Sequence, residues 1–221
     1  MNSELIFRTA RLSDIDALVA LEEDVEKNLP SREMFAIDGP DFYFPIIDGA
    51  GHILLAEDRT GRLAGVSVIR FPAMDDPENL GSEVGLCGDE LSQVRHLESV
   101  FVHPDFQGRR LADELIRRNM DITQSAGKDI ALATVWPLNA PSLRLHLRLG
   151  LRIRAFALKY GGRPRFVLMS PCGHEFSDVT ELAAAEDFEL QKRQLSRGMV
   201  GTGIRRRSDG GFDIEYRHPL R

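Results

Sequence analysis

Val100-Phe101-Val102-His103-Pro104-Asp105-Phe106-Gln107-Gly108-Arg109-Arg110-Leu111-Ala112 is the stretch on which the reading of this chain turns. A strand, Val94–Val102, runs through a short polar turn into a segment whose apolar side chains Leu111, Ala112, Leu115, Ile116 and Met120 recur at helical spacing. A strand that feeds directly into a helix leaves the first N–H groups of that helix unpaired at the positive end of its dipole. Beside Arg109 and Arg110 such an end suits a pyrophosphate. The Walker lysine pattern and the dinucleotide Gly-x-Gly-x-x-Gly are both absent, so nucleotide hydrolysis and nicotinamide binding lose their main support.

Downstream, Gly127 closes the helix and Ile130–Trp136 reads as an apolar strand buried on both faces. Pro137-Leu138-Asn139 then leads into a helix that reaches Leu149 and stops at Gly150. Leu151–Tyr160 and Arg165–Ser170 form a hairpin around Gly161-Gly162. Upstream, Leu5–Arg8 is a short strand, and Ser13, as N-cap of Ser13-x-x-Asp16, opens a helix with Ile15, Leu18, Val19, Leu21 and Val25 inward and Glu22, Glu23 and Glu26 on a polar side. Pro30 ends it, and Ser31–Asp48 is aromatic and partly helical. His52–Glu57 and Leu63–Phe71 make a hairpin over Asp58-Arg59-Thr60-Gly61, and Asp75–Glu90 reads as a long irregular loop, either a lid or substrate-binding segment or a disordered insertion. Strands alternating with helices predict a mixed α/β fold around a single sheet. In the tail, Asp178-x-x-Glu181 resembles a cap for a helix to about Arg197, and Ile204–Arg207 and Phe212–Arg217 flank the turn Ser208-Asp209-Gly210-Gly211. This C-terminal helix plus hairpin can extend the sheet, cover an edge or build a homodimer interface.

The 221 residues, 43% hydrophobic and 28% charged, suffice for a full core. No apolar run approaches the roughly 18 residues of a membrane span, and Met1–Arg11 lacks the features of a signal peptide. Cys87 and Cys172 are too few for a disulfide framework, so a cytoplasmic, reducing setting is expected. The net charge of −6 hides an asymmetry: residues 1–100 carry 8 basic and 20 acidic side chains (−12), and the remaining 121 carry 20 basic and 14 acidic (+6). The asymmetry reads either as chance and solvated surface or as a basic half that faces an anion such as a phosphorylated cofactor or nucleic acid.

The quoted stretch resembles the acetyl-CoA-binding motif of the GNAT N-acetyltransferase superfamily, an apolar strand followed by Pro and Gln/Arg-x-x-Gly-x-Gly/Ala. Asn139-x-x-Ser142-x-x-x-His146-x-x-x-Gly150-Leu151 resembles its second motif, in the same order and one strand later. The resemblance covers roughly residues 4–170 and implies a central, partly splayed mixed sheet flanked by helices, with residues 1–170 as the acetyltransferase domain and 171–221 as an extension. It also implies acetyl-CoA as co-substrate. Val100, Phe101 and Val102 would pair through their backbone with the pantetheine arm. Gln107, Gly108, Arg109, Arg110, Leu111 and Ala112 would wrap the pyrophosphate. Asn139 and Ser142 would stand near the pantetheine, and some of Arg144, Arg148, Arg152 and Arg154 near another phosphate. Two positions depart from the family pattern: Arg110 stands where glycine is usual, and His146 where a tyrosine often protonates the departing thiolate.

The resemblance further implies transfer of an acyl group to a primary amine by direct attack, with no covalent enzyme intermediate. A protonated His146 would serve as acid. Glu98 would serve as base or water-positioning group, and alternation puts it on one face with Val100 and Val102. Thr134 stands where some members that acetylate protein N-termini carry a glutamate, which counts against that subclass. The acidic half suggests a cationic amine, polyamine or basic peptide as acceptor. A GNAT-like module that binds acyl-CoA without turnover is the alternative. His96 and His103 make no metal set, so no metal is expected. Cys87 lacks a convincing His partner, and Ser99 beside Glu98 reads as structural. Arg205-Arg206-Arg207 reads as a solvated edge, and no nucleic acid or membrane partner is expected.

Overall fold

A computed structural model describes residues 5–34, 38–171, 173 and 175–220. Its elements in chain order are β1 (Ile6–Thr9), α1 (Ile15–Lys27), α2 (Pro40–Pro45), β2 (Gly51–Glu57), β3 (Leu63–Arg70), α3 (Asp89–Ser92), β4 (Val94–Val102), α4 (Leu111–Thr123), β5 (Ile130–Val135), α5 (Ala140–Arg148), β6 (Arg152–Lys159), β7 (Arg163–Ser170), β8 (Glu181–Ala184), α6 (Phe188–Ser196), β9 (Val200–Arg206) and β10 (Phe212–Arg217). The chain divides into two compact units, one running to Asp76 and resuming over Ser92–Asp129, the other comprising Pro77–Leu91 and the chain from Ile130 onward. Cys172 lies outside the described residues.

In the first unit β1, β2, β3 and β4 pair in that order, all antiparallel. Alternation along β2 and β3 sends Ile53, Leu55, Val66 and Val68 to one face, where they pack with Leu18, Leu21 and Val25 of α1 and with Tyr43. Leu54, Ala56 and Ala64 go to the other face, against Leu111 and Leu115 of α4. Helix α4 lies close because β3 carries Gly65, where a Cβ would come within 2.9 Å of Leu115 and 3.1 Å of the Phe101 carbonyl. The start of α1 departs from the expected cap: a short 3-10 turn, Leu12–Asp14, precedes it, and the Asp14 carboxylate rather than Ser13 closes the end by accepting the Arg11 N–H at 2.7 Å. Glu22 also departs from expectation, since it lies with Leu18 and Val25 on the buried face and is wholly inaccessible.

The β3–β4 ladder is irregular at Glu98. Ile69 pairs with Leu97 and Val68 with Ser99, so Glu98 has no opposite residue and forms a bulge. A bulge re-aims the extra side chain, so the expected alternation of Glu98 with Val100 and Val102 is broken at this point.

In the second unit the strand order is β5-β7-β6-β9-β10-β8, antiparallel throughout. The tail extends the sheet. β9 joins β6 through Ile153 opposite Gly201, where a Cβ would stand 2.8 Å from that of Ile153. The expected cap at Asp178-x-x-Glu181 is instead a strand, β8. Helix α6 starts later, behind Asp187, whose Oδ1 accepts the Leu190 N–H at 3.0 Å. The stretch read as an irregular loop is ordered: it forms helical turns at Ser82–Val84 and Asp89–Ser92, buries Asn79 and Leu80, and holds Lys159 of β6 through Glu78 at 3.4 Å and Glu83 at 3.2 Å.

Candidate functional site

The turn between β4 and α4 is shaped by two left-handed residues. Gly108 has φ 76° and Arg110, the N-cap residue of α4, has φ 59° and ψ 23°. Arginine thus keeps the conformation that glycine adopts most readily, at a cost of roughly 1–2 kcal/mol. Gln107, Gly108, Arg109 and Arg110 are exposed, whereas Leu111 is buried and anchors the helix. Arg109 and Arg62 both lie over the Phe106 ring, at 5.9 and 5.7 Å. Arg62 also pairs with Asp105 at 2.6 Å. Glu114, an acidic residue in the first turn of α4, is drawn to Arg118 at 2.8 Å. The result is an exposed helix end flanked by cations, which fits an anionic pyrophosphate. On the strand side, Phe101 is buried and Val100 and Val102 are half-buried, and the Gln107 side chain donates to the Val102 carbonyl at 3.2 Å.

Just upstream, the bulge sets Glu98 into a charged cluster. Its Oε1 accepts Arg70 Nε at 2.6 Å and stands 3.2 Å from His96 Nδ1, while Arg70 holds Asp76 at 2.6 Å. Burial alone would raise the Glu98 carboxyl, but hydrogen bonds and charge from His96 and Arg70 outweigh it and hold the group below the ordinary carboxylate range. A carboxylate so engaged is a weak proton acceptor. Ser99, next in the strand, donates to Asp38 Oδ2 at 3.0 Å. Asp38 has the opposite electrostatics. Burial pushes it up to about 7, with Glu22 and Glu98 adding to the rise and the Ser99 hydrogen bond opposing it. The Glu22 carboxylate accepts the backbone N–H groups of Asp38 and Gly39 at 3.3 and 3.4 Å. Tyr43 is fully buried, and burial, Glu22 and Asp38 hold its phenol well above the ordinary range. Glu22 is close enough to act on that hydroxyl, yet among the described residues Oη makes no hydrogen bond of regular geometry.

In the second unit, the Asn139 side chain caps α5 by accepting the Ser142 N–H at 3.1 Å. His146 is buried, and its Nδ1 donates to the Ser142 carbonyl at 2.9 Å. Burial holds its imidazole below the usual value, only partly offset by that carbonyl, so the protonated form expected of an acid is disfavoured. Arg152 caps the end of α5, donating to the Leu147 and Leu151 carbonyls at 3.2 and 2.8 Å. Thr134 and the Tyr160 hydroxyl are 3.0 Å apart. Arg205 and Arg207 are ion-paired to Glu215 and to Glu186, Asp209 and Asp213. Among the described residues no group of His, Cys, Asp and Glu is arranged to hold a metal ion, and no helix is long and apolar enough to cross a membrane.

A family model described as acetyltransferase (GNAT) family matches residues 15–151. The chain belongs to the GNAT family. It is 40% identical over 115 residues to the L-amino acid N-acyltransferase MnaT of Escherichia coli, a match over 49% of this chain and 62% of that protein. A second relative is the L-methionine sulfoximine/L-methionine sulfone acetyltransferase of Salmonella typhimurium, 40% identical over 57 residues, 26% of this chain and 33% of that one. The chain thus spans less than two thirds of the length of these curated relatives. Among solved structures, the fold is shared with an N-acetyltransferase from Staphylococcus aureus Mu50 (TM-score 0.57, 15% identity, 76% of this chain and 97% of that one). It is also shared with yncA of Salmonella typhimurium, solved with acetyl-CoA (TM-score 0.56, 21% identity, 76% and 93%).

Measured against the GNAT motifs, residues 100–112 lie together in the first unit as one strand, turn and helix start. Asn139, Ser142 and His146 lie together on one turn of α5 and its cap in the second unit. Sequence reasoning missed Asp38 and Tyr43. Neither belongs to a motif, and their only sequence signal is membership of the acidic half.

Proposed function

We propose that this GNAT protein transfers an acetyl group from acetyl-CoA to the primary amine of a small amino-acid-like acceptor, by direct attack in a ternary complex. The observation that carries the reading is the exposed turn at Gly108–Arg110, where Arg110, at the position of the motif's glycine, adopts the left-handed backbone that glycine favours and leads into the start of α4. In this reading the N–H groups at the start of α4 and the Arg109 and Arg110 side chains hold the pyrophosphate, and the extended backbone of Val100–Val102 aligns the thioester arm. Holding amine and thioester together supplies most of the rate. A main-chain N–H near Val102 polarises the thioester carbonyl. Asn139 and Ser142 keep the start of α5 in place. His146, held neutral, donates no proton, so the departing thiolate takes one from the attacking nitrogen. Residues 1–170 form the acetyltransferase fold in this assignment, with 171–221 as its extension.

The names of the two relatives, both acting on L-amino acids or their analogues, support the choice of acceptor. Calorimetry with acetyl-CoA and CoA, followed by thiol release across a panel of L-amino acids, methionine sulfone, polyamines and basic peptides, tests the proposal. Binding of acetyl-CoA with release on an amino acid is expected. No binding at tens of micromolar overturns it, and binding without release on any amine replaces it with the non-catalytic acyl-CoA-binding module.

A further inference from the structure

Glu98 is committed to Arg70 and His96, whereas Asp38, just before α2 and hydrogen-bonded by the next β4 residue, Ser99, has no cation among the described residues. Glu22 from α1 fixes the Asp38 backbone from beneath, Glu98 and Ser99 face it from β4, and Tyr43 from α2 turns a buried hydroxyl without a regular partner toward the same carboxylates. Behind Glu98 stand Arg70 of β3, His96 and Asp76. Partly exposed, Asp38 is open to a ligand, and Ser99 ties it to the residue immediately before Val100–Val102. Burying Asp38 beside Glu22 and Glu98 costs the fold stability. A ligand that brings a positive charge offsets that cost.

Resting on the reading above, we propose that Asp38, and not Glu98, is the catalytic residue that receives the acceptor's ammonium group and removes its proton. The ammonium gives one proton to the Asp38 carboxylate and becomes a neutral amine. Its lone pair forms the C–N bond to the thioester carbonyl carbon, and the C–S bond breaks. The second proton leaves the nitrogen for the thiolate, giving the amide and free CoA thiol, and Asp38 returns its proton to solvent. Burial is the main reason that Asp38 stays basic near neutrality, and Glu98 acts as a positioning residue whose fixed negative charge adds to it. Ser99 opposes that effect by its hydrogen bond to the ionised form.

The test is the pH profile of kcat/KM for the wild type, Asp38→Asn, Ser99→Ala and Glu98→Gln, with acetyl-CoA and whichever amine releases most thiol. The wild-type acid limb should fall near pH 7. Asp38→Asn should lower kcat/KM at pH 7 by roughly 100-fold or more with acetyl-CoA affinity unchanged, and recover as pH rises and the ammonium loses its proton to solvent. Ser99→Ala should move the acid limb to higher pH and Glu98→Gln to lower pH. Should Asp38→Asn fail to fold, those two opposite displacements decide the matter. An active wild type whose Asp38→Asn variant stays within twofold, an acid limb unmoved by both neighbours, or an acid limb abolished by Glu98→Gln overturns the assignment alone. A wild type inactive on every amine overturns the function proposal with it.

Discussion

Glu22 and Gln191 are both completely inaccessible, one in each unit, and their neighbours answer them differently. Gln191 donates to the Ala183 and Ala184 carbonyls at 3.2 and 2.6 Å and accepts the Tyr216 hydroxyl, so its donors and its acceptor are matched by neutral partners that tie α6 to β8 and β10. Glu22 receives two long N–H contacts at 3.3 and 3.4 Å, faces the second carboxylate of Asp38, and has no cation among the described residues. A buried polar network whose partners are all present stiffens a fold, while one built from like charges weakens it. The contrast separates a structural cluster from one kept ready for a ligand.

The largest effect should come from the ion pair that borders the acidic cluster. Arg70→Met leaves Glu98 and Asp76 without their shared cation, and the loss should be about 3 kcal/mol, or a Tm lower by roughly 6–12 °C. Glu98 is held low in the folded protein, so its stabilisation is present above the unfolded-state value of about 4 and disappears as pH falls through the lower folded value. The Arg70→Met deficit should therefore narrow in acid, and a deficit that stays constant from pH 7 to pH 3 would show that the pairing is not its source.

Two intermediate effects of opposite sign test the comparison directly. Gln191→Ala strands two carbonyls and a hydroxyl and should cost about 2 kcal/mol at every pH from 5 to 8. Asp38→Asn should do the reverse. The Asp38 carboxyl is raised in the folded state, so the wild type loses stability as pH climbs from about 4 through about 7. The variant should match the wild type near pH 4 and exceed it at pH 8, by on the order of 2 kcal/mol. Thermal melts across that range check both, and a destabilised Asp38→Asn at pH 8 would place Asp38 with Gln191 as a structural group. The smallest effect belongs to Arg110→Gly: relief of the left-handed strain, less the added chain entropy, should leave a gain of about 0.5 kcal/mol. Acetyl-CoA should bind the variant a few-fold more weakly in calorimetry, because a cation beside the pyrophosphate is gone.

Much of the fold is legible in the sequence because it depends on local periodicity. The β4–turn–α4 passage and both hairpins of the family core follow from alternation, helical stripes and glycine turns. The misreadings come from tertiary context. Glu22 looks like one of three solvated carboxylates, yet its position four residues after Leu18 and three before Val25 puts it on the inward stripe. The bulge at Glu98 leaves no trace in composition, since it depends on the partner strand's register. Residues Glu181–Ala184 score as a helix start, and pairing with β10 makes them a strand. Asp38 was illegible for the same reason: its chemistry comes from a serine and two carboxylates distant in sequence.

Arg110 carries a wider consequence. As a letter it departs from the family motif, while its backbone, at φ 59°, takes the left-handed conformation that glycine adopts most readily. What the turn demands is a conformation, and glycine is its cheapest occupant among several. For protein engineering, that makes the position a place where a side chain of chosen charge can be set beside the pyrophosphate that this turn is proposed to hold, without rebuilding the loop.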